Sequence, residues 1–323
     1  MKKMTVEKRL TVAGVDIGGT KIAVGLMAGD GTLLVRTDTP THVERGPDEA
    51  LARIIGILRK QMQETGREIA GIGIGCTGPV DPISGEMGDV NTLPGWQGWN
   101  PVLQLSAEIG VSVAMENDAD AALLAEVRGG DGQERSGKRK RNQIFVTVGT
   151  GIGGGILLDG KIYRGARGCH PEVGHLILEP SGPLCTCGAY GCWESLAAGP
   201  AIEQWFATTN GGLQLNAKQI FVRAREGDAI ARSAVQREAR YLGLGLANLI
   251  STLTPEAIVL GGSVMQSADL MLDDMRATIE RNCRVVPYEF CEISLSSMGA
   301  DAGLIGAAQV WHHRFNNAGN DLE

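Results

Sequence analysis

Residues 11–38 read TVAGVDIGGTKIAVGLMAGDGTLLVRTD. Three apolar runs, Thr11–Asp16, Lys21–Met27 and Thr32–Asp38, are punctuated by Gly18-Gly19 and by Gly29-Asp30-Gly31. Short runs rich in Val, Ile and Thr, joined by glycine turns, predict an antiparallel meander of three strands. The same grammar returns later in the chain. Gln143–Val148 reads as a strand, Gly149–Gly155 as a glycine-rich turn, and Ile156–Leu158 and Lys161–Tyr163 as further strand. Strand, glycine turn and strand, met twice, predict two related halves.

The surrounding segments fill in an α/β pattern. Asp48–Thr65 carries Leu51, Ile54, Ile55, Leu58 and Met62 at helical spacing, with one buried face. Ile69–Gly75 and Val111–Met115 read as buried strands, and Ala119–Arg128 as a helix. Helices at Ile202–Phe206, Ala229–Leu253, Ala268–Arg281 and Ala302–Phe315 follow, with a strand at Ala257–Leu260 running into Gly261-Gly262. A chain of 323 residues has room for about two domains.

Composition narrows the function classes. Glycine, 46 of 323 residues, is about twice its usual share, yet there is no G-X-Y period and only 12 prolines, which excludes collagen. A net charge of −7 argues against nucleic acid as the main partner. The basic run Lys138–Arg141, inside the polar stretch 129–142, reads as a solvated surface loop. Tyr241–Leu253 is too short to span a bilayer and contains Asn248 and Ser251. Met1–Arg9 is polar, without the apolar core of a signal peptide, so a cytoplasmic protein is expected. Seven cysteines then point to metal or thiol chemistry before disulfides.

Four constellations could carry chemistry. In Asp16-Ile17-Gly18-Gly19-Thr20-Lys21, glycines let backbone amides approach an anion, and Asp16 at a strand end could hold a metal through water; an ordinary hairpin reads equally well. Gly149–Gly155 formally matches G-x-G-x-x-G, but a strand follows it where a dinucleotide site needs a helix. No P-loop pattern is present. Two glycine-rich β-turns in two halves suggest phosphates held between two lobes, and Gly261-Gly262 could let a flat base or ribose lie on backbone. Glu116-Asn117-Asp118-Ala119-Asp120 follows a strand and opens a helix, as a general base or as an N-cap. The most specific pattern is His175, Cys185, Cys187 and Cys192, spaced H-x9-C-x-C-x4-C. Three thiols and an imidazole in a Gly/Pro loop with little core of its own supply a closed, structural zinc set. Glu172 and Glu194 bracket that loop and suit the binding of several hydroxyls.

These motifs occur together in a known family. DIGGTK at 16–21, CTGPVD at 76–81, NTLPGW at 91–96, ENDAD at 116–120, GTGIGGG at 149–155, HPEVGH at 170–175, CTCGAYGCWE at 185–194 and LGG at 260–262 resemble the ROK family (repressors, open reading frames and sugar kinases). The resemblance runs from about residue 10 to 315. It implies a two-lobed actin-like ATPase (ribonuclease H-like) α/β fold with an interlobe cleft, the small lobe from 1–118 plus 303–323 and the large lobe from 119–302. It further implies transfer of phosphate from MgATP to a hexose hydroxyl, the 6-OH of glucose first, with N-acetylmannosamine or another hexose or N-acetylhexosamine as the alternative. Asp118 matches the family's catalytic base. Gly78, Asn91, Asn117, Glu172, His175 and Glu194 match its sugar positions. Gly18, Gly19, Thr20, Lys21, Thr150 and Gly151 match its ATP-phosphate loops. Gly261 and Gly262 would lie near adenosine, and Asp16 near Mg²⁺. A homodimer or homotetramer is implied. Two departures stand out: Trp193 where the family usually has Leu, and His170-Pro171 where small residues are more usual. The family's repressors carry an N-terminal DNA-binding domain, and only 15 residues precede Asp16 here. A regulator without that domain, or a silent sugar sensor, is the alternative of another class.

Overall fold

The computed structural model describes residues 10–129 and 140–315. The described residues divide into two compact units, one of 10–129, 162–171 and 297–315, the other of 140–161 and 172–296.

The first unit is built on a five-stranded sheet. Strands β1 (Thr11–Ile17), β2 (Lys21–Ala28) and β3 (Leu33–Pro40) form the expected antiparallel meander. Helix α1 (Pro47–Thr65) leads to β4 (Gly71–Cys76), which pairs parallel to β1. A small hairpin, β5 (Val80–Asp81) and β6 (Glu86–Met87), and helix α2 (Pro101–Ile109) precede β7 (Ser112–Asn117), parallel to β4. The sheet order is β3-β2-β1-β4-β7. One face packs an Ile/Leu/Val core against α1, with Trp96 and Trp99 sealing it. Helix α3 (Asp118–Gly129) follows β7.

The second unit repeats this plan. Strand β8 (Gln143–Val148) pairs antiparallel with β9 (Ile152–Leu158), and β10 (Lys161–Ile162) lies beyond β9. Helices α4 (Trp193–Ala197), α5 (Gly199–Thr209), α6 (Ala217–Glu226) and α7 (Ala229–Leu253) then lead to β11 (Ala257–Gly261), parallel to β8. Helix α8 (Leu272–Asn282) precedes β12 (Glu292–Leu295), parallel to β11. The order β10-β9-β8-β11-β12 matches that of the first sheet, strand for strand. Its core joins the sheet to α5, α6, α7 and α8. Helix α9 (Ala302–Phe315) returns to the first unit.

Several expectations are corrected here. Among the described residues, the chain passes from the first unit to the second between 129 and 140. Helix α3 packs along α9 so closely that a Cβ on Gly306 would collide with the backbone of Ala121, which ties α3 to the first unit. The turn expected over Gly149–Gly155 is shorter. Ile152–Gly155 already pair with β8, and Gly154 leaves room for Val173 and the Phe145 carbonyl, 2.7 and 3.0 Å from where its Cβ would stand. Of the helix expected over Ala268–Arg281, residues 272–281 lie in α8, whereas Ala268–Leu270 belong to a separate 3₁₀ segment, Val264–Leu270, broken from α8 at Met271. Lys140, read as solvated, is buried with its ammonium on Glu292; residues 130–139 of the same stretch lie outside the described residues. The glycines of β4 serve helix packing, since a Cβ on Gly73 would strike the Ala307 carbonyl of α9.

Candidate active site and metal centre

In the first unit the candidate residues gather at the carboxyl ends of β1, β4 and β7. Parallel pairing in register places Ile17 beside Cys76 and Cys76 beside Asn117, so the chain leaves all three strands at one edge. Asp16 is the penultimate residue of β1, Gly78 follows β4, and Asn117 and Asp118 span the junction of β7 and α3. The Ala119 amide, at the free N-terminal turn of α3, donates 2.8 Å bonds to Asn117 Oδ1 and Asp118 Oδ1. The capping reading of the sequence is thus seen in place: the Ala119 amide ties the Asn117 and Asp118 side chains to the start of the helix. Gly78 presses on the other end of the Asn117 amide, 2.7 Å from where a Cβ would stand.

The glycine turn after β1 is tied down. Gly18 spends its N–H on the Lys21 carbonyl (3.0 Å), and its own carbonyl accepts from Thr41 Oγ1 (2.6 Å). Gly19 faces Thr92, whose Cβ lies 2.7 Å from a Cβ built on it. This contact brings the NTLPGW segment, with exposed Asn91, against DIGGTK. Lys21 points to Asp38 on β3 at 3.6 Å.

Electrostatically this edge is crowded with acids. Burial, then the charge of Asp16, pushes the Asp118 carboxyl up to about 6, while the Ala119 amide and His170 pull it back. Asp118 keeps solvent-accessible surface, so protein crowding around the carboxyl raises its pKa without cutting it off from water. Asp16 is also raised by burial, against the pull of Lys21 and Arg36. Burial raises the Cys76 thiol well above its usual range, and Asp118 and Asp16 add to it. Glu116, raised by burial, is gripped by Arg164 through Nε and Nη2. Asp120 meets His170 at 2.8 Å. Sequence reading missed Arg164 and the partner of His170, because pairs 48 and 50 residues apart leave no local pattern.

The second unit carries the other candidates. His175, Cys185, Cys187 and Cys192 place their ligand atoms within 4.8 Å of one another. Cys187 Sγ to Cys192 Sγ is 3.6 Å, as is Cys185 Sγ to His175 Nδ1. A disulfide would need about 2.05 Å. A tetrahedral zinc, with Zn–S about 2.3 Å and Zn–N about 2.0 Å, sets sulfurs about 3.8 Å apart and N and S about 3.5 Å apart. The side chains present therefore fit zinc, with four protein ligands and no open position. Cys192 is the N-cap of α4, and Glu194 sits in that helix's first turn. Glu194 Oε2 accepts from the Ile152 amide (3.0 Å), and a Cβ on Gly151 would come within 2.5 Å of it. The metal loop and the Gly149–Gly151 turn are thus linked through one carboxylate. Glu172 is exposed, just before the short 3₁₀ turn that carries His175.

A cavity of about 600 Å³ opens beside the Gly149–Gly151 turn, lined by Gly149, Thr150, Lys218, Phe221, Arg225 and Ser263 among others. Gly262, at φ +93, makes the sharp exit from β11 against the Val148 backbone, which places Ser263 on the cavity wall.

The model of the ROK family matches residues 12–314. The chain belongs to the ROK family. This ROK chain is 34% identical over 325 residues to a glucokinase of Streptomyces coelicolor, covering 92% of this chain and 96% of that one. It is 32% identical over 304 residues to an N-acetylmannosamine kinase of Escherichia fergusonii, covering 93% and 97%. A ROK family glucokinase of Streptomyces griseus, solved in complex with glucose and AMPPNP, superposes with a TM-score of 0.74 at 31% identity, covering 93% and 98%. The two-sheet α/β plan of this chain is thus the sugar-kinase fold of its family. Among the described residues, no helix is long and apolar enough to cross a membrane.

Proposed function

We propose that this ROK chain is an ATP-dependent hexose kinase that phosphorylates the 6-hydroxyl of glucose. The observation that carries the reading is Asp118, fixed at the start of α3, with a carboxyl raised to about 6. A general base works best with a pKa near the operating pH. Asp118 accepts the proton of the sugar hydroxyl as its oxygen attacks the γ-phosphorus and the bond to ADP breaks. Gly78, Asn91, Asn117, Glu172, His175 and Glu194 orient the sugar hydroxyls. The turn that Gly18 closes offers the backbone amides of Gly19 and Thr20 to the phosphate oxygens together with Thr150–Gly151, and the cavity beside Ser263, next to Gly261-Gly262, takes the adenosine. Asp16 offers hard oxygen donors that suit Mg²⁺, which when bound neutralises charge on the transferring phosphoryl group. Zinc on His175, Cys185, Cys187 and Cys192 orders the loop that presents Glu194. The enzyme works in the cytoplasm as a homodimer or homotetramer.

The N-acetylmannosamine kinase relative favours a second reading, phosphorylation of that sugar. Epimers differ by one hydroxyl, and a mismatched buried polar group discriminates strongly. An ADP-release assay over glucose, mannose, fructose, allose, N-acetylglucosamine and N-acetylmannosamine decides between them. Glucose is expected to give the highest kcat/KM. Preference for N-acetylmannosamine would replace the first reading with the second, and no turnover on any sugar would overturn both.

A further inference from the structure

The pair formed by Asp120 and His170 is not needed by any step above. Nδ1 of His170 stands 2.8 Å from Asp120 Oδ2, and the side chains are 8% and 2% exposed. An ionised carboxylate can only accept, so Nδ1 carries a proton and donates it. The other oxygen, Asp120 Oδ1, is buried without a hydrogen-bond partner. A half-satisfied buried carboxylate is costly unless a cation faces it.

The neighbours show why the cation matters. Around the β7–α3 junction, β1 supplies Asp16, β4 supplies Cys76, β7 supplies Glu116, α3 supplies Asp118 and Asp120, α9 supplies Arg314, and residues 162–171 supply Arg164 and His170. Arg164 is committed to Glu116, and Lys21 and Arg36 act on Asp16. His170 is the group in direct contact with Asp120, a cation there once both ring nitrogens carry protons, while Arg164 also acts on Asp120 through its charge. It also pulls the Asp118 carboxyl down, while Asp120 pushes it up.

We propose that His170, salt-bridged to Asp120, is a positioning residue that offsets the acidic cluster and keeps Asp118 ionised. This rests on the kinase reading only for what Asp118 then does. The charge coupling itself can be measured without turnover.

The test uses the wild type, H170N, and the double variant D120N/H170N. Asparagine retains a neutral donor near Nδ1, so charge is removed with little loss of packing; H170A serves where H170N is unstable. The Asp118 carboxylate is followed by ¹³C NMR of aspartate-labelled protein, its resonance assigned with D118N, and the acid limb of kcat/KM is recorded in parallel. In H170N the Asp118 midpoint is expected to rise by at least about 0.5 unit, and in D120N/H170N to fall back toward the wild-type value. An unmoved midpoint in a folded H170N protein would overturn the proposal. An equal rise in both variants would also overturn it, since it would mean that only packing was lost. Coupling seen by NMR without turnover on any sugar would sink the kinase reading and leave the coupling standing.

Discussion

Gly245, in the middle of α7, lies beneath the indole of Trp193, and a Cβ built on it would overlap the ring atoms Cε2, Cδ2 and Cζ2. Trp193 is fully buried, and its Nε1 has no hydrogen-bond partner, so the ring is held by shape alone. In an ordinary helix interior, Gly→Ala gains about 1 kcal/mol. Forcing a methyl into a packed ring costs about 1–3 kcal/mol. The overlap here involves three atoms of a rigid ring against helix backbone, so the cost lies toward the upper end. G245A is therefore expected to lose about 2 kcal/mol, a Tm fall of roughly 4–8 °C at the 2–4 °C per kcal/mol usual for units of this size. G56A is the control. Gly56 lies in α1 with nothing within 4 Å of the added methyl, and the same substitution should raise Tm. In a W193L background the ring is gone, and G245A should turn from destabilising to stabilising, a coupling of about 3 kcal/mol. Scanning calorimetry of the four proteins in the cycle plus G56A measures all of this. A rise in Tm for G245A, or an unchanged loss in the W193L background, would refute the argument.

Other outcomes follow from the same geometry. D118N should lower kcat by about 10²–10⁴-fold while the protein still binds ATP, as read by single-turnover assay and nucleotide titration. A base must be ionised to act, so with Asp118 at about 6 activity is present above that pH and lost as pH falls through it. Between pH 7 and 5, kcat/KM should drop about tenfold, where an ordinary carboxyl near 3.9 would leave it nearly flat. Metal analysis should find about one zinc per chain. C185S should lose it together with stability, and a variant that kept both would disprove the ligand set. G151A crowds Glu194 Oε2 and should raise KM for ATP several-fold with little change in Tm, because the added methyl pushes a side-chain end and not the core.

Much of the site was legible because its chemistry is local in sequence. The four side chains that fit zinc fall within 18 residues, and a Gly/Pro loop spaced H-x9-C-x-C-x4-C has few other uses. Asp118 was legible as an acid between a strand and a helix, where base and cap look alike; the Ala119 bond shows how the helix start holds it, and the base role belongs to the proposal. The glycines were half legible. Those of the turns at 18–19 and 149–151 sit where expected, whereas Gly73, Gly245 and Gly306 are bare because a helix or an indole presses on them from elsewhere in the chain. The helices at 101–109 and 217–226 were not read at all, since both are short and each owes its first turn to an asparagine cap, Asn100 and Asn216.

By itself, the sequence determined the α/β alternation, the duplicated strand–turn–strand plan and the metal set, because strand period, turn chemistry and ligand spacing are written in neighbouring residues. Only the tertiary structure decided which charges meet. Glu116 with Arg164, Asp120 with His170 and Lys140 with Glu292 are joined by burial across 48, 50 and 152 residues. A buried charge must find its partner wherever the fold brings one, and no local rule says where that is.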